Sequence, residues 1–410
     1  MVATNTNVAT IMMTRFTEAS YHVFWCRWAP VVHSPAMRRV AYIVSPHGFG
    51  HAARACAVMA EMRRQCPRIH FDIFTEVPEW FFSESLSGGF SYHRFACDVG
   101  MVQRSPLVED LEATCDLLDR RSADETEIVR QLVAEFQMFG CSIVIVDISP
   151  LGLVAAAAAR LPTVLVENFT WDWIYLNYPA GTPRLRRHGR LMVEDFAAAD
   201  LRIQTDPMCE SLPTAVGVGP VARSPRSTKE RVRSSLGVPA DEQMILVSMG
   251  GVPWDYDDFA RLPHTNGAWI VIPGGSEGEK RRRGQTVLLP FHSGFYHPDL
   301  VAASDLVVGK LGYSTVAETF CAGAALAFLS RPCFPESPIL AQWVKNHMVS
   351  AEISGDELRD GSWRDVANEL LKIPRRKPDE PNGAGRATEV ILERFGSVIG
   401  ETGSEKETGR

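Results

Sequence analysis

The sequence predicts an α/β protein of two domains, each built on a parallel sheet, with the two sheets facing across a cleft. Three observations carry that prediction. Short β-rich runs alternate with helical stretches from Met37 onward, as in successive βαβ units. The rhythm breaks at a cluster rich in Gly, Pro and Ser between Val216 and Ser227, and then begins again. The 410 residues suffice for two domains at roughly 100–200 residues each.

The elements follow in order. Val40 to Val44 reads as the first strand. It delivers the chain into the loop Ser45-Pro46-His47-Gly48-Phe49-Gly50-His51 and then a helix in which Ala52, Ala55, Cys56, Met59 and Met62 keep a 3.6-residue spacing. Ile69 to Thr75 is the second strand. Leu107 to Phe139 is expected to be helical in two pieces, and Ile143 to Asp147 is an apolar strand ending on an acid. A helix over Leu151 to Arg160 and a strand over Thr163 to Val166 come next. After the break, strands are expected at Met244 to Ser248, Trp269 to Ile272, Val287 to Leu289 and Leu306 to Val308. The domains are therefore placed at 37–215 and 228–395, with a linker over 216–227 and a polar tail over 396–410. Residues 1–36 are expected to be a disordered arm or to lie upstream of a true start at Met37.

Composition narrows the function classes. Hydrophobic residues make up 45% and charged residues 22%, close to the soluble globular average. The net charge of −7, from 42 Lys and Arg against 49 Asp and Glu, argues against a nucleic-acid binder. The basic run Lys280 to Arg283 reads as solvated loop. Nine cysteines, none spaced C-x-x-C, support neither a disulfide framework nor a zinc knuckle. Cys56, Cys115, Cys141 and Cys321 read as small core side chains in a reducing, cytoplasmic setting. No apolar run approaches the ~18 residues of a transmembrane helix, and residues 1–36 lack the features of a signal peptide.

Candidate chemistry lies where strands hand over to helices. Gly48 and Gly50 would let backbone amides approach a phosphate at a helix start. The spacing matches neither G-x-G-x-x-G nor the Walker pattern, so an ordinary dinucleotide or ATP site is disfavoured. The plain alternative is a tight turn with two surface histidines. His51 is expected at the helix start facing the cleft, where the helix dipole favours a neutral imidazole able to act as a base. In the second half, Gly250 and Gly251 form a similar turn. Asp255-Tyr256-Asp257-Asp258 resembles a D-x-D motif but reads better as the acidic first turn of a helix, and no metal is assigned. The most informative stretch runs from Ala303 to Glu318. There Gly309, Lys310 and Gly312 precede Ser314 and Thr315 at a helix start, with Glu318 one turn inside. A diphosphate could rest on the amides of Ser314 and Thr315 while Glu318 accepts hydrogen bonds from a ribose. Thr315 and Glu318 also fit a capping box, and both readings hold together if Ser314 is the N-cap.

This stretch resembles the donor motif of GT-B glycosyltransferases, two-domain Rossmann-like enzymes that use nucleotide sugars. Gly309, Gly312, Ser314, Thr315 and Glu318 match by position, and Lys310 stands where many relatives have His or Arg. The resemblance implies a donor-sugar contact about eighteen positions further on, which Glu336 fits loosely. Gly48-Phe49-Gly50-His51-Ala52-Ala53-Arg54 resembles the G-x-G-H-x-x-R segment of the same superfamily, whose His lies near the reacting anomeric carbon. Asp147 to Pro150 and Glu167 to Tyr175 are similar to the glycosyltransferase-like N-terminal domain of L-arabinokinases, without the kinase domain that follows there. Trp171, Trp173 and Tyr175 could line a sugar-stacking wall or be ordinary core. Asp147, Asn168 and Asp172 are acceptor-side candidates.

The reading that follows is a metal-independent glycosyltransferase with a nucleotide-diphosphate sugar, UDP among the nucleotides, as co-substrate and no other cofactor. His51 is its base, and the resemblance implies inversion. The sugar would be of hexosyl or N-acetylhexosaminyl type. The acceptor, a small molecule, glycan or lipid-linked species, would meet loops such as Phe81 to Gly89 and Asp98 to Val108, and an apolar patch there would imply peripheral membrane contact. The G-x-G-H-x-x-R segment also resembles nucleotide-sugar hydrolases of the pseudaminic acid pathway, which makes hydrolysis an alternative. A non-catalytic nucleotide-sugar sensor is another.

Overall fold

A computed structural model describes residues 37–105, 107–250 and 267–400. Its first sheet has seven parallel strands in the spatial order Phe90–Arg94, Ile69–Thr75, Arg38–Val44, Cys141–Asp147, Thr163–Glu167, Leu201–Thr205, Val216–Val218. The second has seven in the order Arg281–Arg283, Thr286–Pro290, Trp269–Ser276, Met244–Ser248, Leu306–Lys310, Ala325–Leu329, Ser350–Glu352. All are parallel except Arg281–Arg283, which pairs antiparallel with Thr286–Pro290. The basic run expected as loop is thus an exposed edge strand, its positive charges facing water.

Helices cover both faces of each sheet, which is why the central strands are apolar without a break. Val40, Tyr42 and Val44 pack into one core layer while Ala41 and Ile43 pack into the other. The second sheet divides in the same way, with Leu246 on one side and Ile245 and Val247 on the other. The expected two-domain α/β architecture with parallel sheets is present.

Three details depart from the sequence reading. The helix expected in two pieces is one continuous element, Leu111–Phe139, capped by Asp110, whose side chain accepts from the Ala113 amide. The linker expected from residue 216 opens with Val216–Val218, the last strand of the first sheet. The boundary expected at 395 falls inside the helix Gly383–Ile399, and that helix returns to the first domain. Ala384, Ala387, Ile391 and Ile399 join the core beside Val40 and Val58. Its first residue must be small, since a Cβ on Gly383 would stand 2.0 Å from the Gly219 carbonyl oxygen. The arm over 1–36 and residues 401–410 lie outside the described residues. No described helix is long and apolar enough to cross a membrane.

In each sheet the strand order reverses direction at one place. In the first it lies between Arg38–Val44 and Cys141–Asp147, in the second between Met244–Ser248 and Leu306–Lys310. Loops leaving the carboxyl ends of strands diverge there and leave a crevice. Both crevices open onto one cavity lined by residues of both domains.

Candidate functional site

The first-domain side of this cavity begins at Gly48. Its φ of +74° lies in the left-handed region, which only glycine adopts without strain, and it caps the helix Phe49–Gln65. Phe49, Gly50 and His51 form the first turn. No side chain caps this end, so the amides of that turn are left for other partners. Gly50 sits where the two domains come close: a Cβ there would be 4.0 Å from the Ser314 hydroxyl.

His51 is buried, and its Nδ1 lies 2.8 Å from Oδ1 of Asp147. The acid ends the neighbouring strand, in register with Val44. Asp147 is therefore not placed to meet an acceptor. It lies behind His51, fully buried, and takes two further hydrogen bonds from Arg54, Nε to Oδ2 at 2.8 Å and Nη2 to Oδ1 at 2.7 Å. Burial by itself would push the Asp147 carboxyl up. The Arg54 charge and the bonds from His51 and Arg54 outweigh it and hold the group below the usual carboxylate range. A carboxylate can only accept, so His51 Nδ1 carries a proton toward Asp147. Arg54 Nη2, 3.3 Å from the same nitrogen, gives its hydrogen to Oδ1 of Asp147 instead. In the neutral imidazole the lone pair is on Nε2, at the cavity that His51 lines.

Arg54 extends the network. Its Nη1 donates to Oδ1 of Asn168, and its guanidinium lies 4.8 Å from the centre of the Tyr313 ring in the second domain. Asn168 in turn donates through Nδ2 to Oε1 of Glu336 at 2.8 Å. This contact crosses the cleft. Glu336 Oε2 faces Nη2 of Arg331 at 3.3 Å, and Arg331 Nη1 faces Glu109 of the first domain at 3.5 Å. Asn168 and Glu336, expected on acceptor and donor sides, are thus direct partners.

On the second-domain side Lys310 ends its strand and Gly312 caps the helix Tyr313–Ala322. No side chain bonds that cap, so neither Thr315 nor Ser314 is the N-cap and the capping box is not formed. Tyr313, Ser314 and Thr315 are the first turn, and the amides there remain available to a ligand. Gly312, Ser314, Thr315, Lys310 and Gly250 all line the cavity. Gly250 has a φ of +77°. Gly251 and the acidic run from Asp255 to Asp258 lie outside the described residues.

Lys310 forms no ion pair among the described residues. Burial, assisted by the charge of Arg331, lowers its pKa to about 8, against the pull of Glu336 and Glu109. Glu318 is not brought to the cavity. One turn further along the helix, it is buried against Arg223, whose Nε donates to Oε1 at 2.8 Å, and His297, whose Nδ1 lies 3.1 Å from Oε2. Asp172 does not reach the cavity either, and its Oδ1 is buried without a partner.

The aromatic wall resolves as core. Trp171 and Tyr175 are buried and stacked at 5.8 Å, with the Trp171 indole N–H donating to Asp98 and the Tyr175 hydroxyl to the Gly100 carbonyl. Trp171 backs the site instead, meeting the rings of His47 and His51 at 5.1 and 6.2 Å. His47, Arg331 and Phe334 also line the cavity, and sequence reasoning passed over them. Arg331 was findable: it follows the strand Ala325–Leu329, adjacent to Leu306–Lys310, at the carboxyl edge where ligands bind.

No protein-family model matches the chain. The L-arabinokinase of Arabidopsis thaliana is 27% identical over 368 residues, covering 86% of this chain and 34% of the plant protein. The chain thus spans about a third of that relative's length. An uncharacterized glycosyltransferase of Methanopyrus kandleri is 22% identical over 267 residues, 62% of this chain and 75% of that protein. Among solved structures, the spinosyn forosaminyltransferase SpnP superposes with a TM-score of 0.58 at 14% identity, covering 89% of this chain and 99% of that one. The calicheamicin glycosyltransferase CalG4 gives 0.55 at 17%, covering 88% and 98%. The fold is GT-B.

Proposed function

We propose that the chain is a glycosyltransferase that moves a sugar from a nucleotide-diphosphate donor to a hydroxyl acceptor, with His51 as general base. The observation that carries this reading is the His51–Asp147 contact of 2.8 Å at a cavity lined by both domains. Asp147 fixes the tautomer and stabilises the imidazolium that forms as Nε2 takes the acceptor proton. The acceptor oxygen forms a bond to the anomeric carbon as the bond from that carbon to the diphosphate oxygen breaks. The electron pair leaves with the nucleoside diphosphate. Attack and departure on opposite faces invert the anomeric centre.

The departing charge is met on the second domain by the first-turn amides from Tyr313 to Thr315 and by Lys310. These groups carry the leaving group without assigning it a metal. Asn168 and Glu336 meet across the cleft where the sugar would lie, and Glu336 is the proposed contact to a hexosyl or N-acetylhexosaminyl donor. A ribose contact through Glu318 requires His297 to give up Oε2. A cytoplasmic setting and a UDP donor belong to the same proposal.

A thermal-shift panel of nucleoside diphosphates and nucleotide sugars tests the reading, because a ligand that binds only the folded state raises the midpoint. The best nucleotide sugar is then used to assay wild type and His51→Ala. The expected result is retained donor binding with turnover lower by about 10²–10⁴-fold. Unchanged turnover in His51→Ala would remove the base assignment. Free sugar released at the same rate with and without acceptors would replace transfer by hydrolysis, and tight binding without turnover would make the chain a sensor.

A further inference from the structure

We infer that His47 is a second working imidazole of the cavity, donating its Nε2–H to an uncharged oxygen of the bound substrates while Nε2 of His51 accepts the reacting proton. The identity of that oxygen rests on the transfer reading, whereas the tautomer rests on geometry alone.

His47 lies four residues before His51, and both line the same cavity. Its ring is held from three sides. Trp171 meets it edge-on at 5.1 Å, and Phe334 of the second domain lies nearly parallel, at 11° and 6.2 Å. On the third side the loop at Gly100 packs so closely that a Cβ there would stand 3.0 Å from the His47 Cβ and 3.2 Å from Nδ1. Gly100 has a φ of +61°, so both its conformation and its neighbours call for glycine.

That close approach brings the Met101 amide to His47. Its N–H donates to Nδ1 at 3.3 Å, and an N–H can only meet a lone pair. The imidazole proton is therefore on Nε2. Among the described residues no protein group bonds Nε2. His51 has the opposite arrangement, Nδ1–H given to Asp147 and, among the described residues, no protein partner on Nε2. Two imidazoles at one cavity thus present one donor and one acceptor.

The surroundings also keep His47 neutral. Burial, with the charges of Arg331 and Lys310 that face it and that of His51 whenever it is protonated, holds its pKa well below the usual range. A neutral N–H adds no charge to a cavity that already holds Lys310 and Arg331. It suits a hydroxyl oxygen, whereas phosphate oxygens are better served by helix-end amides and a lysine. The oxygen belongs to a hydroxyl of the donor sugar or of the acceptor.

The test uses the full chain with isotope-labelled histidine, read by nitrogen–proton correlation NMR from pH 6 to 8. His47, assigned by the signal lost in His47→Gln, is expected as the neutral Nε2–H tautomer throughout, and His51, assigned in His51→Ala, with its Nδ1 protonated. An Nδ1–H or imidazolium His47 at pH 6.5 overturns the inference whatever the activity. With the best nucleotide sugar of the panel, His47→Phe is expected to bind UDP like wild type and to turn over about tenfold more slowly, as for loss of one hydrogen bond to substrate. His47→Gln should recover part of the rate, since its amide N–H can replace Nε2–H, a rescue that mere packing would not give. Equal turnover in all three proteins overturns the role. Loss of donor hydrolysis without acceptor places the oxygen on the sugar, and loss confined to transfer places it on the acceptor. If no nucleotide sugar binds, the transfer reading fails and the NMR still decides the tautomer.

Discussion

The two sides of the cavity are built from different material. On the first-domain side, His51 is fixed by side chains: a buried carboxylate, a guanidinium that bonds it through two nitrogens, and an amide that passes the contact on to Glu336. On the second-domain side the principal groups are backbone, the uncapped first turn of Tyr313–Ala322 and the glycine turns around it, with Lys310 as a cation that has no ion partner among the described residues. A proton-transfer group must be held in one tautomer and orientation before substrate arrives, and only a network of directed side chains does that. A diphosphate is held by amide donors and charge, which helix geometry provides without side chains. The first side should therefore fail through its ion pairs and the second through its backbone spacing.

The largest expected effect breaks the first side. Arg54 and Asp147 are both almost wholly buried, so Arg54→Met leaves a carboxylate in the interior with His51 as its remaining side-chain partner among the described residues. Breaking one half of a buried pair costs about 3–5 kcal/mol. The denaturant midpoint should fall accordingly, and His51 should lose its fixed orientation with it. A loss below about 1 kcal/mol would show that water or a rearranged Asn168 compensates, against the picture of a closed network.

A smaller effect is expected on the second side. Gly309 pairs with Ser248 on the adjacent strand, and a Cβ on it would stand 2.0 Å from the Ser248 carbonyl oxygen. Gly309→Ala must push the two central strands apart at the point where one leads to Gly250 and the other to Lys310. Overpacking of this kind costs about 1–3 kcal/mol. Donor-nucleotide binding should suffer more than stability, since the displacement falls on the loops that line the cavity. A variant with wild-type UDP affinity would separate the strand spacing from the nucleotide seat.

The same contrast governs what could be read from the sequence. The glycine turns and helix starts were legible because their requirements are local: a strand, a left-handed turn, a helix N-terminus within ten residues. Gly48, Gly50, His51, Gly250, Lys310, Gly312, Ser314 and Thr315 all reach the cavity. The Asp147 partnership was not legible from spacing, since it joins residues 96 apart. It follows from strand order, because Cys141–Asp147 lies next to Arg38–Val44 and ends level with Val44. An acid closing an apolar strand was visible, but its neighbour was not. The return of Gly383–Ile399 to the first domain was hidden for a similar reason, since its apolar face of Ala384, Ala387, Ile391 and Phe395 does not say which sheet it covers. In the sequence His47 reads as a surface histidine of a tight turn, because the loop that packs on it, at Gly100 and Met101, lies more than fifty positions away.

The smallest expected effect sharpens the comparison through Lys310. Burial is the main reason its pKa falls to about 8, with Arg331 adding repulsion, so the ammonium form is disfavoured but still predominant at pH 7. A lysine with a lowered pKa is charged below that value and loses its charge as pH rises through it. A bound diphosphate favours the charged form, so by linkage its affinity should be full below about pH 7 and decline between pH 7 and 9. Terminal phosphate ionisation, with a second pKa near ~6, is nearly complete across that window and does not obscure the trend. If binding required the ammonium, the loss by pH 9 would be about tenfold, one pKa unit corresponding to a factor of ten. The helix-end amides do not titrate, so their share of the affinity persists and the observed loss should be smaller than this. Calorimetric titration with UDP at pH 7, 8 and 9 measures it, and Lys310→Met should bind more weakly at pH 7 yet show no decline. A flat wild-type profile would assign the nucleotide seat to backbone alone, and a loss well beyond tenfold would mean that side-chain charge governs the second side as it governs the first.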